Sequence, residues 1–188
     1  GLFSKAIMES GNCDSRDFFA DLNSSAQYSA LFLQQFNCWS DQPNFLDCIR
    51  EISLHDLIFT ANYTGPKKLA PIFPWSATTD RRFLFGVPTD EMAAGRFHDV
   101  PVVLGSNDND GVMFVLTVPD IVGVDSPLPP TTPSEAASHF FGGPIIAAKV
   151  LAFYDHFTNW ELALAQGITD WFFVCTARRT SKHFSKAY

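Results

Sequence analysis

Hydrophobic and polar positions along the chain mark out a series of short elements. Phe3 to Met8 reads as a short strand, stopped by Glu9-Ser10-Gly11. Ala26, Ala30, Leu31, Leu33 and Phe36 recur at helical spacing, which predicts a helix over 24–36 with Ser24 or Ser25 as its N-cap. A loop over 37–43 leads to a short helix at 44–51, with Phe45, Leu46 and Ile49 expected inward. Ser53 caps a further helical turn holding Leu54, Leu57 and Ile58, and Asp56 at the third helical position makes a variant of the capping box. From Tyr63 to Pro88 the chain reads as irregular, because Gly65-Pro66, Pro71, Pro74 and Pro88 deny the backbone long regular elements. Thr89 to Ala94 is a short helix ended by Gly95.

The next stretch differs in kind. Val100, Val102, Val103 and Leu104 form an apolar, β-branched run, the pattern of a strand covered on both faces. Gly105 breaks the run, a polar turn ends at Asp110-Gly111, and Val112 to Leu116 is again apolar and strand-like. The five prolines at 119, 127, 129, 130 and 133 require a loop. Ser134 then caps a helix from Glu135 to Phe141, which Gly142-Gly143-Pro144 stops, and Ile145 to Phe153 is another apolar helical run. Trp160 to Gln166 and Ile168 to Lys186 read as two more helices parted by Gly167. The second turns Trp171, Phe172, Cys175 and Ala177 inward, and Arg178, Arg179 and Lys182 outward. Few strands and many helices around one strand-turn-acid unit predict part of an α/β layered fold, since two strands are too few for a complete sheet.

At 188 residues the chain is long enough for one domain with a sizeable core, or for a piece of a larger one. With 46% hydrophobic and 18% charged residues it is globular material, and its 19 Phe point to a large core or an aromatic-lined cavity. The net charge of -7 and the lack of a basic run beyond Arg178-Arg179 argue against nucleic acid and anionic membranes as partners. No apolar stretch approaches the roughly 20 residues that cross a bilayer. Gly1-Leu2-Phe3 is neither an initiator methionine nor a signal peptide, which fits a processed chain or a fragment cut from inside a domain. Nothing in the sequence sets an oligomeric state.

Cysteines occur at 13, 38, 48 and 175. Cys38 and Cys48 bracket a short polar loop, which suits a local disulfide better than a metal site, because no second Cys/His pair has ligand spacing. The sequons Asn23-Ser24-Ser25 and Asn62-Tyr63-Thr64 make Asn23 and Asn62 candidate glycosylation sites, and with the cysteine loop they lean toward a secreted, oxidising setting. Asp110 is the best candidate for chemistry, since an acid just past the C-terminal end of a buried strand sits where open α/β sheets bind ligands. The same residues also read as a plain Asn-Asp-Gly turn. A calcium loop is a third reading, because Ser106-x-Asp108-x-Asp110-Gly111 half-matches an EF-hand start. Thr117 at the twelfth position and the strand-like run that precedes it argue against calcium.

Five segments, collinear over nearly the whole chain, carry a resemblance. Gly1 to Gly11 is similar to a G-L-F-x-x-A-I-x-Q-S-G segment, and Phe36-Asn37-Cys38 through Asp47-Cys48-Ile49-Arg50 to a disulfide loop ending in a C-L-R helix. Ala94 to Pro101 with Gly105-Ser106-Asn107 is similar to a G-x-F-x-x-V-P-x-x-x-G-x-N block. Asp110-Gly111 falls at an acid-Gly pair, commonly D-E-G, and Asp170 to Cys175 is similar to a D-x-x-x-x-C-P segment with Thr176 in place of the proline. Together they resemble the type-B carboxylesterase/lipase family, which includes the cholinesterases.

The resemblance implies the central-to-C-terminal portion of an α/β-hydrolase fold, helix-rich with few sheet strands, with residues 1–188 forming a partial carboxylesterase type-B domain. The family's triad runs Ser, Asp/Glu, His, which puts a G-x-S-x-G nucleophile elbow before Gly1 and the histidine after Tyr188. It implies a carboxylic ester hydrolase acting on small-molecule or lipid esters through an acyl-enzyme, with no metal and no cofactor, and a chain that is inactive alone. Asp110 would be the triad's acid and Ser10 its partner. Ser10 is not the nucleophile, because Met8 occupies the elbow's first glycine position.

Phe73 and Trp75 fall where cholinesterase-like relatives place acyl-pocket aromatics, although Asp80-Arg81 departs from the usual Asp-Gly. Cys175 matches a cysteine that bonds one further along in cholinesterases, and Cys13 has no counterpart. Asp110 is one methylene shorter than the usual Glu, so the histidine lies closer or the triad is imperfect; Asp108 is the fallback acid. Of His55, His98, His139, His156 and His183, only His139 and His183 follow Asp110, and both sit on helical runs as solvated residues. The alternative of a different class is a catalytically inert, cholinesterase-like adhesion or structural protein.

Overall fold

The computed structural model of the chain describes residues 2–11, 19–59, 76–116 and 133–185. In chain order they form β1 (Ala6–Glu9), β2 (Phe19–Asp21), α1 (Leu22–Gln34), α2 (Phe45–Glu51), α3 (Leu54–Phe59), β3 (Ala77–Thr79), α4 (Pro88–Ala93), β4 (Val102–Gly105) and α5 (Val112–Leu116). There follow α6 (Pro133–Phe141), α7 (Pro144–Phe153), α8 (Trp160–Ile168), a π-helical segment (Thr169–Val174) and α9 (Cys175–Ser185). They belong to two compact units: the first is Arg16–Val87, and the second is Gly1–Ser15 with Pro88–Tyr188.

In the Arg16–Val87 unit, β2 and β3 pair in parallel with Phe19 opposite Ala77 and Asp21 opposite Thr79. β3 lies in a stretch expected to be irregular, and it forms where the sequence between Pro74 and Pro88 is free of proline. α1 starts two residues before the expected helix, because Asp21 and not Ser24 or Ser25 is its N-cap. The Asp21 carboxylate accepts the Ser24 N–H at 3.0 Å and the Ser24 hydroxyl at 2.6 Å. Tyr28 and Phe32 fill the buried side of α1, and Phe32 meets Phe36 edge-on. The Cys38–Cys48 disulfide joins the loop after α1 to α2 over a Cα–Cα distance of 5.7 Å. Leu46 is exposed, contrary to expectation, while Phe45 and Ile49 are half-buried. α3 carries the expected cap: the Asp56 N–H donates to Ser53 Oγ, whose hydroxyl donates back to the Asp56 carboxylate.

In the other unit, β1 and β4 pair in parallel, with Ala6 opposite Val102 and Glu9 opposite Gly105. Ala6, Met8, Val102 and Leu104 share a half-buried face, while Ile7 and Val103 stand opposite each other 71% and 66% exposed. The strand expected to be covered on both faces is therefore covered on one among the described residues. The core lies among the helices, where Phe114, Ala136, Ala137, Ala147, Leu164 and Ile168 are buried. Its many alanines let the backbones of α6, α7 and α8 approach closely. Gly142 and Gly143 turn α6 into α7 with φ of 80° and 117°, a region open to glycine.

Two further expectations give way. Val112 to Leu116 is a helix and not a strand, since a short apolar run does not fix its own period. Here the Phe114 N–H reaches back to the Gly111 carbonyl, and its ring packs against Phe172 and Phe173. Calcium is then argued against by Thr117 alone. Gly167 does not break the last helix either. α8 continues through the π-helical segment into α9, and Gly167 is buried where a Cβ would lie 3.2 Å from Phe141 and from Val150. As expected, Phe172 and Ala177 are buried on this long helix, and Arg178, Arg179 and Lys182 are exposed. The proline loop before Pro133, with Cys13, Asn62, Phe73 and Trp75, lies outside the described residues.

Candidate active site

Parallel pairing brings the C-terminal ends of β1 and β4 side by side. One step beyond the ladder, the Ser10 N–H donates to the Gly105 carbonyl at 2.8 Å, which sets Ser10 against the turn that follows β4. Ser10 takes a left-handed φ of 51°, a conformation that costs a non-glycine residue about 1–2 kcal/mol. Its hydroxyl donates to Asp110 Oδ2 at 2.7 Å.

The turn itself supplies two more donors. The Asn107 backbone N–H meets Asp110 Oδ2 at 2.8 Å, and the Asn107 side-chain amide meets Oδ1 at 2.8 Å. Both Asn107 groups also lie 3.3 Å from Ser10 Oγ, so the three residues form one closed cluster. Partial burial works against the charged carboxylate. The Ser10 and Asn107 hydrogen bonds outweigh it and hold the Asp110 carboxyl below its ordinary range. At neutral pH this is an ionised acceptor fixed at the rim of the sheet.

Gly111 anchors the other side of the acid. Its N–H donates to Thr169 Oγ1 at 2.8 Å, and the Thr169 hydroxyl donates to the Ala165 carbonyl at 2.8 Å. A Cβ on Gly111 would collide with the Ala165 carbonyl oxygen and lie 2.8 Å from the Thr169 backbone nitrogen. Glycine is required here by close approach of two backbones.

Of the residues picked out from sequence, Ser10 and Asp110 are brought together. Asp108 is exposed and, among the described residues, its carboxylate meets the Asn109 amide at 3.5 Å, so it stands outside the cluster. Sequence reasoning passed over Asn107, whose signal was its place three residues before the acid, the spacing of a capping turn. It also passed over Thr169, for which no local signal exists. His139 and His183 lie on α6 and α9, while His98 meets the ring of Phe3 and His156 that of Phe157. Asn23 is exposed in the first turn of α1, and Cys175 is half-buried and forms no disulfide among the described residues.

A second polar cluster lies half-buried among the helices. The Tyr154 hydroxyl donates to Asp170 Oδ2 at 2.6 Å and the Gln166 amide to Oδ1 at 3.1 Å. Burial and this donation push the Tyr154 phenol well above its usual range. Between β4 and α9 runs an open groove of about 820 Å³, lined among others by Val100, Val102, Leu104, Ala177, Ser181 and Phe184. Among the described residues, no group of three or more His, Cys, Asp or Glu side chains could hold a metal ion, and no helix is long and apolar enough to cross a membrane.

Comparison with known proteins gives this geometry a context. The chain is similar to the juvenile hormone esterase of Tribolium castaneum, 28% identical over 125 residues that make up 60% of this chain and 21% of that protein. It is similar to the para-nitrobenzyl esterase of Bacillus subtilis strain 168, 26% identical over 173 residues, or 91% of this chain and 32% of that one. The chain thus spans between 21% and 32% of the length of these relatives. Its structure is similar to the crystal structure of Aspergillus niger EstA with a TM-score of 0.68 and 18% identity, over 98% of this chain and 36% of EstA. That likeness speaks for the fold: a helix-rich portion of an α/β-hydrolase with few strands. Residues 1–187 match the model of the Carboxylesterase family. The chain belongs to the carboxylesterase family.

Proposed function

We propose that the protein carrying this chain hydrolyses carboxylic esters through a serine acyl-enzyme, with Asp110 as the acid that orients the catalytic imidazole. The observation that carries this reading is the Asp110 carboxylate, held ionised by Ser10 and Asn107 past the ends of two parallel strands. Its Oδ1 receives one donor among the described residues, the Asn107 amide, which leaves acceptor capacity for an imidazole N–H. A serine hydroxyl would attack the ester carbonyl while the imidazole takes its proton, and the fixed negative charge of Asp110 would stabilise the imidazolium. The proton then passes to the leaving alcohol. Water repeats the sequence on the acyl-enzyme.

Residues 1–188 contain no G-x-S-x-G pentapeptide, so the chain by itself is expected to be inactive. An aspartate reaches one methylene less far than the family's usual glutamate, which requires the histidine to sit closer to the turn. The substrates are small-molecule or lipid esters, and Phe73 and Trp75 would line the acyl pocket. The Cys38–Cys48 disulfide and the exposed sequon at Asn23 support a secreted, glycosylated protein. The test is the full gene product with p-nitrophenyl butyrate and a serine-directed fluorophosphonate. Turnover with stoichiometric labelling supports the enzyme. No turnover and no labelling would favour the inert adhesion or structural reading.

A further inference from the structure

We propose that Thr169 is a positioning residue for Asp110, acting through the backbone N–H of Gly111; the proposal rests on the reading of Asp110 as the catalytic acid. A helical threonine ordinarily turns its hydroxyl back to the carbonyl four residues earlier, and Thr169 does so with Ala165. That bond uses the hydroxyl proton and leaves a lone pair on Oγ1 facing out of the helix. The lone pair accepts the N–H of Gly111, 58 residues away in sequence. Thr169 is 1% exposed and the bond is buried, so no water stands ready to replace it. Gly111 directly precedes α5, where a helix leaves its first N–H groups without internal partners, and Thr169 satisfies one of them.

The two sides of Asp110 are therefore held by different elements. Ser10 and Asn107 fix the carboxylate oxygens, while Thr169 fixes the chain at the next residue to the long helix. Thr169 opens the π-helical segment, and such local departures from α-geometry often coincide with functional positions. A main chain pinned on one side and a carboxylate pinned on the other define where the acid can place its free lone pair. A shift of about 1 Å in such a group lowers rates by roughly 100-fold.

The experiment is a double-mutant cycle in the full gene product, read by ester hydrolysis across pH. T169V keeps the shape of the side chain and removes the hydroxyl. It is expected to lower kcat by roughly 10- to 100-fold with KM little changed, while T169S stays close to wild type. The acidic limb of kcat/KM should move to lower pH in T169V, because a misplaced Asp110 stabilises the imidazolium less. In a D110N background, T169V should add little. T169C, whose thiol is a poor acceptor, should reproduce the loss of T169V and serves if the valine variant does not fold. Multiplicative effects of T169V and D110N, an unmoved pH profile, or equal damage by T169S would overturn the role. A D110N enzyme as active as wild type would instead remove the assignment of Asp110 itself, a failure the cycle reads separately.

Discussion

Asp110 stays charged because its donors outweigh the penalty of partial burial, and the balance is open to a direct test. Its folded pKa is depressed, so the ionised form adds stability that is present above the unfolded value of about 3.9 and lost as pH falls through the folded value. Replacing Asn107 by Ala removes the donor to Oδ1 and keeps the backbone donor to Oδ2. The acid-unfolding midpoint of N107A, followed by circular dichroism, should move to higher pH. A midpoint unchanged or shifted downward would contradict this account of the cluster. The pairing of Ser10 with Asp110 was legible in sequence only through the family resemblance: its place past a strand end picked out Asp110, but Ser10 by itself read as a turn serine. Asn107 lay inside a recognised block without a role. Thr169 was invisible, because its function arises from a contact made across tertiary structure, between residues 58 apart.

Among the elements, some fixed by local chemistry followed the sequence, although the N-cap of α1 moved to Asp21, and those fixed by their neighbours did not. The Ser53 cap and the Gly95 helix stop are decided by a few adjacent residues, and both are present. Val112 to Leu116 became a helix because α8 and the rings of Phe172 and Phe173 lie beside it, information no window of five residues contains. Gly111 sits at the join of turn and helix, and G111A should destabilise the fold by about 2 kcal/mol or more through backbone overpacking. A chemical-denaturation midpoint equal to wild type would refute that close approach. For the Cys38–Cys48 bridge, which closes a loop over a sequence separation of 10, the C38S/C48S variant should lose about 3 kcal/mol, the loop-entropy value for that length. A variant as stable as the parent would show the bridge to be structurally idle.

At the scale of the whole molecule, the described strands form two two-stranded sheets, and among them β4 pairs with β1 alone. Ile7 and Val103 are exposed beside that free edge, and the groove along β4 and α9 is open. Exposed apolar strands with unpaired edges recruit further strands. Residues 1–188 produced alone should therefore self-associate in sedimentation at micromolar concentration. A monomer with a sharp, cooperative melt would contradict this. The α/β class and the helix-rich balance were legible because they follow from hydrophobic period; the division into two units was not, because it is a property of contacts between distant segments.

The most direct test of Asp110 as the acid of an ester-hydrolysing triad is kcat/KM for p-nitrophenyl butyrate in the full gene product and its D110N variant, at neutral pH. Asparagine keeps the size of the side chain and removes the charge that holds the imidazole. A fall of roughly 1,000- to 10,000-fold, with the fold retained, is the expected result. Hydrolysis within a factor of about three of wild type would contradict the assignment of Asp110.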